Sequence, residues 1–142
     1  MSHFQALLGL IRAWKAKDFD GVLAFMHEDI VWHYAAAIAP PLKGKIKARK
    51  FLERLSPQIG EVSWRIFDYA ERGDRLFVEG VDAYVSVEGR LVSAPYAGVV
   101  EFRDELIIGL REYFDIGVVT ALKAGEDMPE HVRQLIAREA LS

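Results

Sequence analysis

Apolar and polar positions change their period along this chain, and the changes mark out its elements. Phe4, Leu7, Leu8, Ile11 and Trp14 recur at helical spacing with Arg12, Lys15 and Lys17 on the other side, which predicts an opening helix. Asp18 has the position of an N-cap for a second helix carrying Phe19, Val22, Leu23 and Met26 on one stripe. Glu28-Asp29 breaks that pattern, and the β-branched and aromatic run Ile30-Val31-Trp32-His33-Tyr34 predicts a strand. Ala35 to Pro41 is small, then proline-paired, and predicts a loop. Lys43 to Leu55 returns to helical spacing, with basic residues along a solvated face, and Ser56-Pro57 stops it.

From Glu61 to Asp115 the period becomes two. Strands are predicted over 61–71, 75–87, 91–102 and 106–115, joined by the polar turns Arg72-Gly73-Asp74, Glu88-Gly89-Arg90 and Arg103-Asp104-Glu105. Met128-Pro129 predicts the start of a last helix running to Ala140. The order of elements predicts one α+β domain over 1–142, with helices on one face of an antiparallel sheet.

Alternation also sorts each strand into two faces. One face of 75–87 carries Leu76, Val78, Gly80, Asp82 and Tyr84; the other carries Phe77, Glu79, Val81, Ala83 and Val85. In the last strand Leu106, Ile108, Leu110, Glu112 and Phe114 share a face. Ile30, Trp32 and Tyr34, and Val92, Ala94, Tyr96, Gly98, Val100 and Phe102, are the matching sets on their strands. If these faces line one hollow, Asp82 and Glu112 are acids in an apolar wall, beside the Tyr34 and Tyr96 hydroxyls and the Trp32 indole. That is the make-up of a small-molecule site. Burial raises a carboxyl pKa, and two neighbouring carboxyls titrate apart, leaving one acid and one base. The bland reading is an acid at the wet end of a strand, or one paired with Arg65 or Arg111. Tyr34 and Tyr96 read first as core or pocket-wall residues and Trp32 as packing, and His33 is expected to point away from Trp32 and Tyr34.

Composition narrows the function. Eighteen basic and 21 acidic residues give a net charge of −3 without a basic block, which argues against nucleic-acid binding. The basic run Lys43–Lys50 lies on a helix and reads as a solvated surface. The chain has no cysteine, so disulfides, thiolate metal sites and cysteine nucleophiles are excluded. His3, His27 and His131 are expected on separate helices and suggest no metal site. No stretch approaches the roughly 20 apolar residues of a membrane span, and a cytoplasmic location is expected. Gly-rich phosphate loops, nucleophile elbows and metal-binding helix signatures are absent from the sequence.

Four short pieces carry a family likeness: Asp29-Ile30-Val31-Trp32, Pro40-Pro41 with Gly44, Glu79-Gly80-Val81-Asp82, and Leu110-Arg111-Glu112-Tyr113-Phe114-Asp115. In these the chain resembles the nuclear transport factor 2-like superfamily, especially its SnoaL-like and limonene-1,2-epoxide hydrolase-like branch. The resemblance implies a cystatin-like α+β roll: a curved antiparallel or mixed sheet wrapped over the N-terminal helices, forming a cone-shaped pocket. It also implies homodimers through the outer sheet face, which Val81, Ala83 and Val85 would suit.

The epoxide hydrolases of that branch use an Asp-Arg-Asp trio with a Tyr and an Asn. Position by position, Asp82 matches the first Asp and Glu112 replaces the second. Gly80 stands at the Arg, Trp32 and Tyr34 at the Tyr and Asn, and Leu110 at the Trp before the second acid. Without the Arg, one of the two acids should hold a proton, an arrangement similar to ketosteroid-isomerase-type members. The expected site is therefore Asp82 as base, Glu112 as acid and Tyr34 or Tyr96 as hydroxyl donor. Trp32, Tyr96, Leu110, Val78 and Phe114 form its substrate wall, and no cofactor or metal is expected. A small apolar molecule is the expected partner, turned over as an isomerase, cyclase or epoxide hydrolase would. A non-catalytic pocket for a lipid-like ligand and a dimerising module with a filled pocket stay open as alternatives.

Overall fold

The computed structural model describes residues 1–141. Helix α1 (His3–Lys15) begins with a capping box in which Ser2 and Gln5 satisfy each other's backbone N–H groups, and it buries Leu7, Leu10, Ile11 and Trp14. Helix α2 (Phe19–Ala24) is capped by Asp18, which accepts from the Gly21 N–H, as the sequence predicts. Strand β1 (Met26–His33) starts four residues before the predicted run, so His27 lies on a strand and not on a helix. A two-residue strand β2 (Leu42–Lys43) interrupts the end of the expected loop, and helix α3 (Lys45–Leu55) follows.

A 3-10 turn at Ser56–Gln58 leads into β3 (Ile59–Arg72), β4 (Arg75–Ser86), β5 (Leu91–Arg103) and β6 (Leu106–Phe114). The strand order is β2-β1-β6-β5-β4-β3. Neighbours from β6 to β3 are antiparallel, but β1 runs parallel to β6, which makes the sheet mixed. Bulges in β3 between Ile66 and Asp68, and in β6 at Ile108 opposite Glu101–Phe102, interrupt the ladders. The six-stranded sheet stays open and curves over α1, α2 and α3, whose apolar faces share one core with its inner face. This is the α+β cone expected.

Beyond β6 two helices appear where one was predicted. Helix α4 (Ile116–Lys123), capped by Asp115, has no counterpart in the sequence reading, and α5 (Glu130–Ile136) stops short of the predicted end at Ala140. The C-terminal segment lies on the outer face of the sheet. Ile136 joins Phe67, Val81 and Ala83 in a second apolar cluster. Arg65 donates to the Ile136 carbonyl (3.2 Å), Arg138 pairs with Glu79 (2.8 Å), and the Leu141 N–H donates to the Ile66 carbonyl (2.7 Å). Val81 is 0% and Ala83 4% exposed, so the patch expected to suit a partner copy is covered by the chain's own α5. Among the described residues, no helix is long and apolar enough to cross a membrane.

Candidate active site

Three rows of cross-strand neighbours on the inner face build the site. Trp64, Asp82 and Ala94 form one row; Gly80, Tyr96 and Phe114 the next; Val78, Gly98 and Glu112 the third. Tyr96 is therefore diagonal to both acids, within reach of each. Of the small residues in these rows, Ala94 lines the space that the site occupies.

That space is a cavity of about 460 Å³, within the range of small-molecule pockets. Asp82, Glu112, Tyr34, Trp32, Tyr96, Leu110 and Phe114 all line it. Val78 does not. It is 6% exposed and packs in the main core, its methyl group against Gly98. Its strand faces inward as predicted, but the side chain is part of the packed core and not of the cavity wall. The face predicted for β6 also needs correction: the bulge at Ile108 turns Ile107, 0% exposed, into the core, while Ile108 looks away from it. Leu110, Glu112 and Phe114 keep the predicted direction.

The two acids titrate differently. Burial pushes Asp82 up to about 6. Burial and then the neighbouring charge of Asp82 push Glu112 up to about 8, although the Trp32 indole N–H, which donates to Glu112 Oε2 at 3.2 Å, opposes the rise. The two carboxyls thus titrate in separate steps, with Glu112 the harder of the pair to ionise. Burial, and then the charges of Glu112 and Asp82, raise the Tyr96 phenol well above its ordinary value, so it stays protonated. Its oxygen accepts a hydrogen bond from the Trp64 indole N–H, which leaves the phenol's own proton free to donate.

Tyr34 lies apart from that group, in an aromatic wall with Phe51 (ring centroids 4.3 Å) and Trp32 (6.5 Å). Sequence reasoning missed Trp64 and Phe51, and all of α4's contribution through Ile116, Val119 and Lys123. Trp64 was findable, since the alternation that turns Val62 and Ile66 inward carries it too.

No arginine lines the cavity among the described residues. Gly80 supplies the reason. A Cβ built there would lie 2.2 Å from the Arg65 carbonyl oxygen, so β3 crowds out any side chain between the two acids.

The SnoaL-like domain profile matches residues 7–110. The chain belongs to the SnoaL-like domain family. The match ends just before Glu112, so the second acid lies beyond it. No curated protein matches the chain. Among solved structures, a LEH-like epoxide hydrolase of M. tuberculosis is 24% identical, with a TM-score of 0.73, over 83% of this chain and 86% of that one. A Catenulispora acidiphila protein with a ketosteroid isomerase-like fold, in complex with trimethylamine, is 19% identical with a TM-score of 0.75, over 87% and 97%. A Shewanella putrefaciens protein named as a SnoaL-like polyketide cyclase is 14% identical with a TM-score of 0.77, over 89% and 99%. These likenesses establish that the SnoaL-like chain has the nuclear transport factor 2-like cone.

Proposed function

We propose that this SnoaL-like protein is a cofactor-independent acid/base enzyme acting on a small, largely apolar molecule. The observation that carries the reading is the pair of carboxyl groups in one apolar cavity, raised to about 6 and about 8 and so differing in charge at neutral pH. Asp82 is the base. It takes a proton from a carbon next to a carbonyl, and the electron pair of that C–H bond moves onto the carbonyl oxygen. Glu112 and Tyr96 donate hydrogen bonds to the resulting enolate, and Asp82 returns the proton to a different carbon. The net change is an isomerisation; attack of the enolate on a second carbonyl would instead make it a cyclisation.

Tyr96 replaces Tyr34 as the preferred donor, because it stands between the acids with its proton free. Tyr34, Trp32, Leu110 and Phe114 form the wall. The homodimer we propose uses the uncovered part of the outer face, where Phe77, Ala97 and Tyr113 are exposed on neighbouring strands; sedimentation of the wild type and of Tyr113→Asp tests it.

The experiment for the activity is a turnover screen of β,γ-unsaturated ketones, diketones and small epoxides with wild type, Asp82→Asn and Glu112→Gln. Ketone turnover lost in both variants supports the reading. Epoxide opening with the same losses would move the chemistry to hydration, with Asp82 deprotonating water and Glu112 protonating the ring oxygen. Ligand binding without turnover of any of them would leave a binding protein.

A further inference from the structure

Helix α4 presents Ile116, Val119 and Lys123 to the cavity, at positions i, i+3 and i+7 of a single helical stripe. Its placement is fixed at both ends. Asp115 caps its start, accepting from the Val118 N–H at 3.2 Å. At its far end Arg90 Nη1 donates to the Lys123 carbonyl at 2.6 Å, and the same guanidinium lies against Gly125.

A lysine in the last turn of a helix ordinarily serves the negative end of the helix dipole. Here Arg90 already does so. Lys123 Nζ has no carboxylate within salt-bridge distance among the described residues, so its charge is free for another use. It is also the one cationic side chain lining the cavity among the described residues. Two isoleucines of the same lining, Ile38 and Ile116, are 50% and 47% exposed, and Lys123 is exposed as well. The opening thus combines two exposed isoleucines with an unpaired ammonium, while the interior holds the acids.

We infer that the substrate is an amphiphilic monoanion. Its apolar body enters past Ile38 and Ile116, and its carboxylate or equivalent anionic group stays outside on Lys123. The Asp82 carboxylate repels an anion from the interior, so the two charges together fix which end goes in. The neutral reacting end meets Asp82, Glu112 and Tyr96. Lys123 is then a specificity-determining residue that acts on binding and takes no part in the chemistry. This inference rests on the reading of the cavity as a substrate site and adds the chemical class and direction of the ligand.

The test uses two fluorescent probes of nearly the same shape, 1-anilinonaphthalene-8-sulfonate and its neutral parent N-phenyl-1-naphthylamine, titrated into wild type, Lys123→Met and Lys123→Glu. Lys47→Met, an exposed lysine on α3 away from the cavity, is the control. The expected result is that Lys123→Met weakens the anionic probe about three- to tenfold and Lys123→Glu weakens it further. The neutral probe should change less than about twofold, and added salt should shrink the difference. Equal effects on both probes, or none on either, overturn the assignment to Lys123 while the binding cavity stands. Failure of both probes to bind wild type removes the cavity reading, and the inference with it.

Discussion

Replacing Glu112 by Gln keeps the shape of the neutral acid but removes its ability to ionise, which makes the cost of burying this group measurable. In the folded chain Glu112 is raised from 4.5 to about 8. At about 1.4 kcal/mol per pH unit, that step corresponds to roughly 5 kcal/mol between the ends of the titration. Because the folded-state pKa lies above the unfolded one, the favourable contribution of the bound proton is whole below pH 4.5 and gone above about pH 8. Wild type therefore loses this group's contribution across that window, while Glu112→Gln has none of it to lose. The constant difference between an amide and an acid cancels when each protein is compared with itself at two pH values. Solvent reaching the carboxyl through the cavity mouth screens part of the effect, so the advantage of Glu112→Gln should grow by about 2–4 kcal/mol between pH 5 and pH 9. Urea unfolding followed by tryptophan fluorescence at pH 5, 7 and 9 measures it. Parallel stability profiles for the two proteins would refute the buried, proton-holding Glu112.

Asp82→Asn should abolish turnover and, above pH 6, stabilise the fold by up to about 3 kcal/mol, as Asp82 is raised from 3.8 to about 6; calorimetry at pH 5 and 8 compares the two regimes. Trp32→Phe removes the indole donor to Glu112 and should raise the pKa of that acid further, read as an upward shift of the alkaline limb of the stability profile. Gly80→Ala should cost at least about 1–3 kcal/mol because its Cβ meets the Arg65 carbonyl oxygen, a loss that denaturant midpoints will show. Removing residues 130–142 uncovers Phe67, Val81 and Ala83 and should produce concentration-dependent self-association in sedimentation.

The period-two alternation made the inner face of β4 and β5 legible, because both strands keep their pairing without interruption through the site rows. It placed Asp82, Tyr96 and Ala94 together with no help from tertiary information. Alternation fails where a bulge shifts it, and a bulge leaves no local mark in Glu101-Phe102 or Leu106-Ile107-Ile108; hence the error on that face of β6. Val78 shows a second limit: direction is encoded locally, but whether an inward side chain meets a cavity or the packed core depends on tertiary neighbours. Helix α4 hid because Ile116-Gly117-Val118-Val119-Thr120 is β-branched and carries a glycine, a composition that favours strands. Its cap and the docking of Arg90 override that preference. The parallel pairing of β1 with β6 joins segments some 80 residues apart and has no local signal at all. The same holds for α5, whose apolar side matches the outer face only once the sheet exists.

The central claim is that Asp82 and Glu112 share one cavity in different protonation states at neutral pH. Difference infrared spectroscopy across pH 4–9, with wild type compared to Glu112→Gln and Asp82→Asn, tests it most directly. The account predicts a protonated-carboxyl carbonyl band that persists to about pH 8 and is absent from Glu112→Gln, and a second that disappears near pH 6 and is absent from Asp82→Asn. Loss of every such band by about pH 5, as for carboxyls in water, would contradict it.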